Sequence, residues 1–134
     1  MNANSGSVID DPAGSTANGT KLIQWQTNGG SNQQWTATAV GSFWTFTNAV
    51  SGKLMDDPGS STASGTQLIQ WQSNGGSNQQ WSVVAAGNGS FKIINRVSGL
   101  LVDVSGASTT NGSAVIQQND NGAASQHWTF QLMN

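Results

Sequence analysis

Residues 48–81 read NAVSGKLMDDPGSSTASGTQLIQWQSNGGSNQQW. The same stretch stands 46 residues earlier, at 2–35, with 25 of 34 positions identical and no gap. It stands again 47 residues later, at 95–128, with 16 of 34 positions identical to the middle copy. Thirteen positions agree in all three copies. Among them are Ser5-Gly6, Ser51-Gly52 and Ser98-Gly99, the aspartates Asp10, Asp56 and Asp103, and the isoleucines Ile23, Ile69 and Ile116. The Asn-Gly steps at 28–29, 74–75 and 121–122 and the Gln-x-Trp triplets ending in Trp35, Trp81 and Trp128 complete the pattern. Self-similarity at a fixed period marks a repeat architecture and frames every local reading.

Inside each copy the signals are those of short strands bounded by turn residues. Val8-Ile9, Leu54-Met55 and Leu101-Val102 lead into the repeated Asp, and a Pro/Gly/Ser/Thr loop follows. Then come Leu68-Ile69-Gln70-Trp71, a turn at Asn74-Gly75-Gly76, and a strand opened by Gln79-Gln80-Trp81. A further strand, Phe43 to Phe46 or Phe91 to Ile94, leads into the next copy. Asn-Gly between strands favours a hairpin turn, because both residues tolerate positive φ. No window carries apolar residues at i, i+3, i+4 and i+7, so almost no helix is expected.

Three such units leave few architectures. A propeller typically needs at least four blades. A solenoid wants atypical end repeats, whereas the first two copies here are the most alike. A closed three-fold arrangement, the all-β β-trefoil with pseudo-three-fold symmetry, takes three copies without caps. The chain is read as one domain, 1–134, with repeats at about 1–47, 48–94 and 95–134. The three triplet tryptophans then lie in the shared core. Eleven strand signals are counted where three units of four would have twelve, since only Met1 precedes Asn2. The expectation is an open edge and an apolar groove, filled by upstream residues, by an irregular N-terminus or by self-association with a neighbouring chain. Alternatively, the segment from Trp128 to Asn134 closes the barrel alone.

Composition narrows the function. Only 7% of the 134 residues are charged, against about 25% in an average globular protein. There is no Glu, and six Asp face four Lys and Arg. A nucleic-acid binder needs a basic stripe, and none exists. No stretch approaches the ~18 apolar residues of a membrane span, and no signal-peptide pattern opens the chain. Ser, Thr, Asn and Gln number 18, 12, 14 and 13. Six Trp and four Phe are large apolar payloads that argue for a folded chain despite this polarity. Without Cys, disulfides and thiolate metal sites are excluded. An uncharged, amide-rich surface suits a neutral hydroxylated ligand.

Three Gln-x-Trp triplets at 46- and 47-residue spacing, each preceded by a Leu-x-Asp-like strand and a Ser/Thr/Gly loop, make the whole chain similar to the ricin B-type lectins and family 13 carbohydrate-binding modules. The resemblance implies a carbohydrate-binding β-trefoil, placed at the end of a secreted glycosidase or toxin with a fused catalytic domain. The family often closes a disulfide in each copy. Those positions hold Val8, Leu54 and Leu101, and Thr27, Ser73 and Asp120.

A sugar site needs an aromatic face, a carboxylate that accepts two adjacent hydroxyls, and amides that donate and accept. Copy one offers Asp10, Trp25 and Asn32, and copy two Asp56, Trp71 and Asn78. By resemblance, the Asp-to-Trp spacing of 15 is that of the stacking aromatic, Gln33 and Gln79 steady the site aspartate, and the triplet Trp is structural. Trp25 and Trp71 lie between glutamines, and copy three puts Gln118 at their place. A core site would not exchange Trp for Gln, given the ~3–5 kcal/mol lost on emptying an aromatic site. Copy three is a weaker third site, with Asp103, Gln118 and Gln126, and Ser125 in place of the Asn. The plainer reading of the repeated Asp is a turn former that caps its own loop. His127, the single histidine, reads as a surface residue opposite Trp128.

No catalytic set is found. Glycoside hydrolysis wants two facing carboxyls about 5–9.5 Å apart. Adjacent residues such as Asp10-Asp11 and Asp56-Asp57 point to opposite sides of an extended chain. One His cannot supply repeated triads, and the Asp pattern is too sparse for a calcium loop. No metal, cofactor or nucleic acid is expected. A second reading stays open, that of a trefoil protein-binding module or inhibitor without sugar specificity.

Overall fold

The computed structural model describes residues 1–133. Copy one holds β1 (Val8–Asp10), β2 (Ile23–Trp25), β3 (Trp35–Val40) and β4 (Phe43–Asn48). Copy two holds β5 (Leu54–Asp56), β6 (Ile69–Trp71), β7 (Trp81–Gly87) and β8 (Ser90–Asn95). Copy three holds β9 (Leu101–Val104) and β10 (Val115–Gln118). Between strands the helical pieces are three-residue 3₁₀ turns, one pair per copy. The chain is an all-β trefoil.

Two kinds of pairing build it. Within each copy the Asp-bearing strand pairs antiparallel with the next, placing Asp10 opposite Ile23, Asp56 opposite Ile69 and Asp103 opposite Ile116. The three ribbons meet at the pseudo-axis, where Leu22, Leu68 and Val115 are fully buried. Their backbones close a ring: Leu22 N–H donates to Leu68 (3.0 Å), Leu68 to Val115 (2.9 Å) and Val115 to Leu22 (3.1 Å). The barrel comes from the hairpins β3–β4 and β7–β8, joined where Trp44 pairs with Trp81. In copy three the barrel segment from Trp128 is held by single bridges to Phe91 and Asn2. The core gathers Leu22, Leu68, Val115, Met55, Val102, Phe46, Ile93, Trp81 and Trp128.

The Gln-x-Trp tryptophan explains its own recurrence. Each indole N–H donates to the carbonyl just before the repeated Asp: Trp35 to Ile9 (3.0 Å), Trp81 to Met55 (3.2 Å) and Trp128 to Val102 (3.0 Å). A buried indole needs such a partner. Trp81 and Trp128 are sealed at 0% and 3% exposure, whereas Trp35 is only half-buried. Among the described residues no strand pairs with Trp35 as β4 pairs with Trp81.

Several expectations need correction. Asn28-Gly29 and Asn74-Gly75 do not close hairpins; they lead into the 3₁₀ turns Ser31–Gln33 and Ser77–Gln79. Gln79 therefore belongs to a turn, and β7 opens at Trp81. The tight turns are Gly41-Ser42, between the pair Val40 and Phe43, and Asn88-Gly89. Asn88 and Gly89 both have positive φ (55° and 75°), as a type I′ turn requires. Among the described residues ten strands stand where eleven were counted, because the segment from Trp128 is reduced to bridges. The C-terminal segment does not close the barrel with a strand, and Asn134 lies outside the described residues. His127 is half-buried with its Nε2 enclosed and unpartnered, not a plain surface residue.

Candidate functional site

The ribbon register creates each site. Val8 faces Trp25 and Asp10 faces Ile23, so Asp10 and Trp25 are diagonal neighbours on one face, roughly 7–8 Å apart. Asp56 and Trp71 repeat the arrangement. Side chains alternate along a strand, so Ile9 and Gln24 take the opposite, inner face, where Gln24 is fully buried.

The 3₁₀ turn then closes over the carboxylate. In copy one, Gln33 Nε2 donates to Asp10 Oδ2 (2.8 Å) and to the Gln26 carbonyl (3.0 Å), while its Oε1 accepts from Asn28 N–H (2.9 Å). These bonds fix which end of the amide meets the aspartate. Asn32 Nδ2 donates to Asp10 Oδ1 (3.3 Å) and to the Asp11 carbonyl (3.0 Å). Copy two matches: Gln79 reaches Asp56 Oδ2 at 2.9 Å and Asn78 reaches Oδ1 at 3.2 Å. Each carboxylate oxygen has one protein donor, and a carboxylate offers about four lone-pair sites. Acceptor capacity remains, although Asp10 and Asp56 are nearly enclosed. Burial raises the Asp56 pKa above the usual carboxylate range, and the Gln79 and Asn78 hydrogen bonds oppose it.

Trp25 and Trp71 share the face of this floor and are each 37% exposed. Their outer flank is built by the preceding copy. A Cβ at Gly112 would meet Trp25 at 3.8 Å, and one at Gly19 would meet Trp71 at 3.7 Å. Asn111 Oδ1 accepts from Gln26 N–H and Asn18 Oδ1 from Gln72 N–H, both at 2.8 Å. Sequence reading missed these loop asparagines, because each lies in another copy's loop. In copy three Asp103 keeps Gln126 (3.1 Å) but turns its other oxygen to Val104 N–H (2.7 Å). Gln118 replaces the aromatic, and Ser125 is buried.

Gln24, Gln70 and Gln117 were also missed, although their identity in all copies is visible in the sequence. Gln70 Oε1 accepts from Ser51 (2.7 Å), while its Nε2 donates to the carbonyls of Ser15 (2.9 Å) and Ala17 (3.1 Å). Gln24 and Gln117 repeat this on the loops at 108–110 and 61–63. Each clamps the loop of the preceding copy beside its own site.

The carboxyl groups of Asp11 and Asp57 share none of these partners, although the backbone carbonyls accept from Asn32 and Asn78. Both are fully buried, and all four carboxyl oxygens lack a hydrogen bond. Burial, and then the neighbouring Asp10 or Asp56 charge, raises Asp11 to about 6 and Asp57 to about 7. Copy three carries a buried Val104 there. Among the described residues, no three His, Cys, Asp or Glu gather as a metal-holding group. No helix described is long and apolar enough to cross a membrane.

No curated protein matches the chain in sequence. Solved structures do. The designed three-fold symmetric protein ThreeFoil superimposes with a TM-score of 0.95 at 38% identity, over 96% of this chain and 93% of that one. The exo-beta-1,3-galactanase 1,3Gal43A from Clostridium thermocellum matches with a TM-score of 0.96 at 40% identity, over 99% of this chain but 29% of the enzyme. The Macrolepiota procera ricin B-like lectin, solved with lactose, gives 0.83 at 28% identity, over 96% of this chain and 89% of the lectin. The family model described as ricin-type beta-trefoil lectin domain-like matches residues 1–71, 41–118 and 77–134. Matched from end to end, the chain belongs to the ricin-type β-trefoil lectin domain-like family.

Proposed function

We propose that the protein is a non-catalytic module that binds neutral carbohydrate at two sites, Asp10/Trp25/Asn32/Gln33 and Asp56/Trp71/Asn78/Gln79. One observation carries the reading: an exposed indole shares a face with an aspartate that two amides hold at a fixed orientation, and the set occurs twice. The indole stacks on the C–H face of a pyranose. The carboxylate accepts two adjacent hydroxyls through its remaining lone pairs, and Asn32 or Asn78 adds an amide at the rim. The third site, Asp103/Gln118/Gln126, binds more weakly, since it lacks stacking worth about 1 kcal/mol. The module works outside the cell within a larger secreted protein, bringing a partner domain to a polysaccharide.

The relatives name the first ligands to try. One is a lectin solved with lactose and another a β-1,3-galactanase, so lactose and β-1,3-galactan head a broad glycan array. The expected outcome is an array hit with a Kd near ~10⁻³–10⁻⁴ M per site in calorimetry. Trp25→Ala and Trp71→Ala each leave monosaccharide binding at the other site but sharply reduce retention on polymer, because two linked weak sites act through effective concentration. An array without hits on folded protein, or a double variant that binds normally, overturns the reading.

A further inference from the structure

The seam between copies one and two holds a groove that the Asp56/Trp71 set does not use. β4 and β5 share a single residue pair, Thr47 with Leu54, and Leu54 in turn pairs with Trp71. Partners across antiparallel strands point to one side, so Thr47, Leu54 and Trp71 form a row on the face that also carries Asp56. Beyond that one pair the two strands part, and the gap is a groove of about 390 Å³. It is lined by Thr38, Val40 and Thr45 on the copy-one side and by Leu54, Ser73 and Gln80 on the copy-two side. Gln79 belongs to its wall and also donates to Asp56 (2.9 Å), so groove and site are continuous. The volume lies within the ~300–1,000 Å³ of small-molecule sites.

The lining has one chemistry. Thr38 and Thr45 are cross-strand partners, and with Thr47 and Ser73 they bring four hydroxyls and no charge to the groove. Gln80 is turned to act as a donor. Its Oε1 accepts from Arg96 Nη1, a group that can only donate, and the Arg96 guanidinium is itself held over the Phe43 ring at 4.3 Å. Gln80 Nε2 is left without an acceptor among the described residues. Copy three shows the same seam closed. Lys92 and Asp120 stand 47 residues after Thr45 and Ser73, and they form an ion pair of 2.7 Å across it. These places therefore face each other, and the shorter Thr45 and Ser73 leave the space between them open. Copy three is also the copy without a stacking aromatic, so the open groove accompanies the indole.

We propose that this groove is a subsite for the units of a neutral saccharide chain that follow the one stacked on Trp71. The proposal rests on the carbohydrate reading above and adds to it that the copy-two site takes a chain rather than a single sugar. Hydroxyls and one oriented amide donor meet sugar hydroxyls, and Val40 and Leu54 meet C–H faces.

The test is calorimetry on the Trp25→Ala protein, which leaves Trp71 as the one stacking indole, with the monosaccharides and linear tetrasaccharides of β-1,3-galactan, xylan, mannan and β-1,3-glucan in turn. The tetrasaccharide of a sugar that binds should exceed its monosaccharide by roughly twentyfold, about fourfold from the number of units and about fivefold from one net hydrogen bond. Thr45→Lys/Ser73→Asp rebuilds the copy-three ion pair without net charge; it should return the ratio to about fourfold while monosaccharide affinity is retained. Gln80→Glu keeps Arg96 paired but removes the donor, and it should lower the ratio even if the double variant fails to fold. Amide NMR of the tetrasaccharide complex should show shifts at Thr38, Thr45 and Ser73 as well as at Trp71. The proposal is overturned if the ratio never exceeds the number of units, if the folded variants keep the full ratio, or if the shifts stop at Trp71 and Asn78; the carbohydrate reading survives each of these results through monosaccharide binding. No binding of any of these sugars also overturns the groove, and the glycan array then decides the carbohydrate reading separately.

Discussion

Asp11 and Asp57 are buried carboxyls without a hydrogen-bond partner in two copies, while the third copy buries Val104 in the same place. Their raised pKa values, about 6 and about 7, have a stability consequence with a definite sign. The folded state holds these protons more tightly than the unfolded chain, whose aspartates titrate near pH ~3.9. Between about pH 4 and pH 7 the folded state therefore binds more protons, and stability falls as pH rises through that window before levelling off. Thermal melts should show a higher Tm at pH 5 than at pH 8. Asp57→Val should reduce that difference and raise the Tm at pH 8 by roughly 3–8 °C, taking ~1–3 kcal/mol for an unsatisfied buried group. The backbone bonds of Asp57, to Asn78 and Ser60, survive the change. A melting temperature flat from pH 5 to pH 8, or a destabilised valine variant, would refute this account.

At the scale of elements, the inter-copy clamp sets the geometry of the stacking residues. Removing the Gln70 amide leaves the Ser15 carbonyl without a donor and the Ser51 hydroxyl without its acceptor, while the Ala17 carbonyl keeps the Thr20 hydroxyl (2.8 Å); the loss costs about 2–4 kcal/mol. Gln70→Ala should lower the Tm by roughly 6–12 °C, whereas the exposed Gln72→Ala should change it little. Because the freed loop holds Asn18 and Gly19 against the Trp71 site, calorimetry on Gln70→Ala should show weakening at that site while the Trp25 site keeps its affinity; equal weakening at both would refute the assignment. This clamp also marks the limit of what the sequence discloses. The Asp, Trp and Gln-x-Trp positions were legible because the repeat fixes their spacing and the copy-three exchange of Trp for Gln118 separates exposed from core aromatics. The clamp was not, since its bonds run between copies at separations such as Gln70 to Ser15. The Asn-Gly steps misled because the propensity for positive φ serves a 3₁₀ entry as well as a hairpin. Trp35 was read as core on the strength of Trp81 and Trp128; it is half-buried, and among the described residues no strand meets it as β4 meets Trp81.

For the whole molecule, three-fold symmetry with the proposed Asp/Trp/Asn/Gln set present in two of the three copies poses a test that no single site provides. Copy three retains the ribbon register, with Leu101 opposite Gln118 as Leu54 is opposite Trp71. It retains the Gln126–Asp103 bond and the Gln126 Oε1 contact with Asn121 N–H (3.0 Å). The flanking loop is also in place: Gln117 clamps it, Ser64 accepts from Asn119 N–H (3.1 Å), and Gly65 has φ of 93° like Gly19 (86°) and Gly112 (91°). A Cβ at Gly65 would meet nothing within 4 Å, where the equivalent glycines meet an indole. What differs is Gln118, Ser125 and Val104. The double variant Gln118→Trp/Ser125→Asn should therefore lay an indole on Gly65 and restore the rim amide. Ser125 is buried, so Gln118→Trp alone serves as the control against a packing failure. Calorimetry with the best array ligand should then give three sites per chain instead of two strong ones, and retention on polysaccharide should rise by more than half, because a third site multiplies rather than adds when one polymer spans them. If a folded Gln118→Trp variant gained neither stoichiometry nor retention, the indole-over-aspartate arrangement would not suffice for binding, and Asp11 and Asp57, which copy three replaces by Val104, would become the next residues to test.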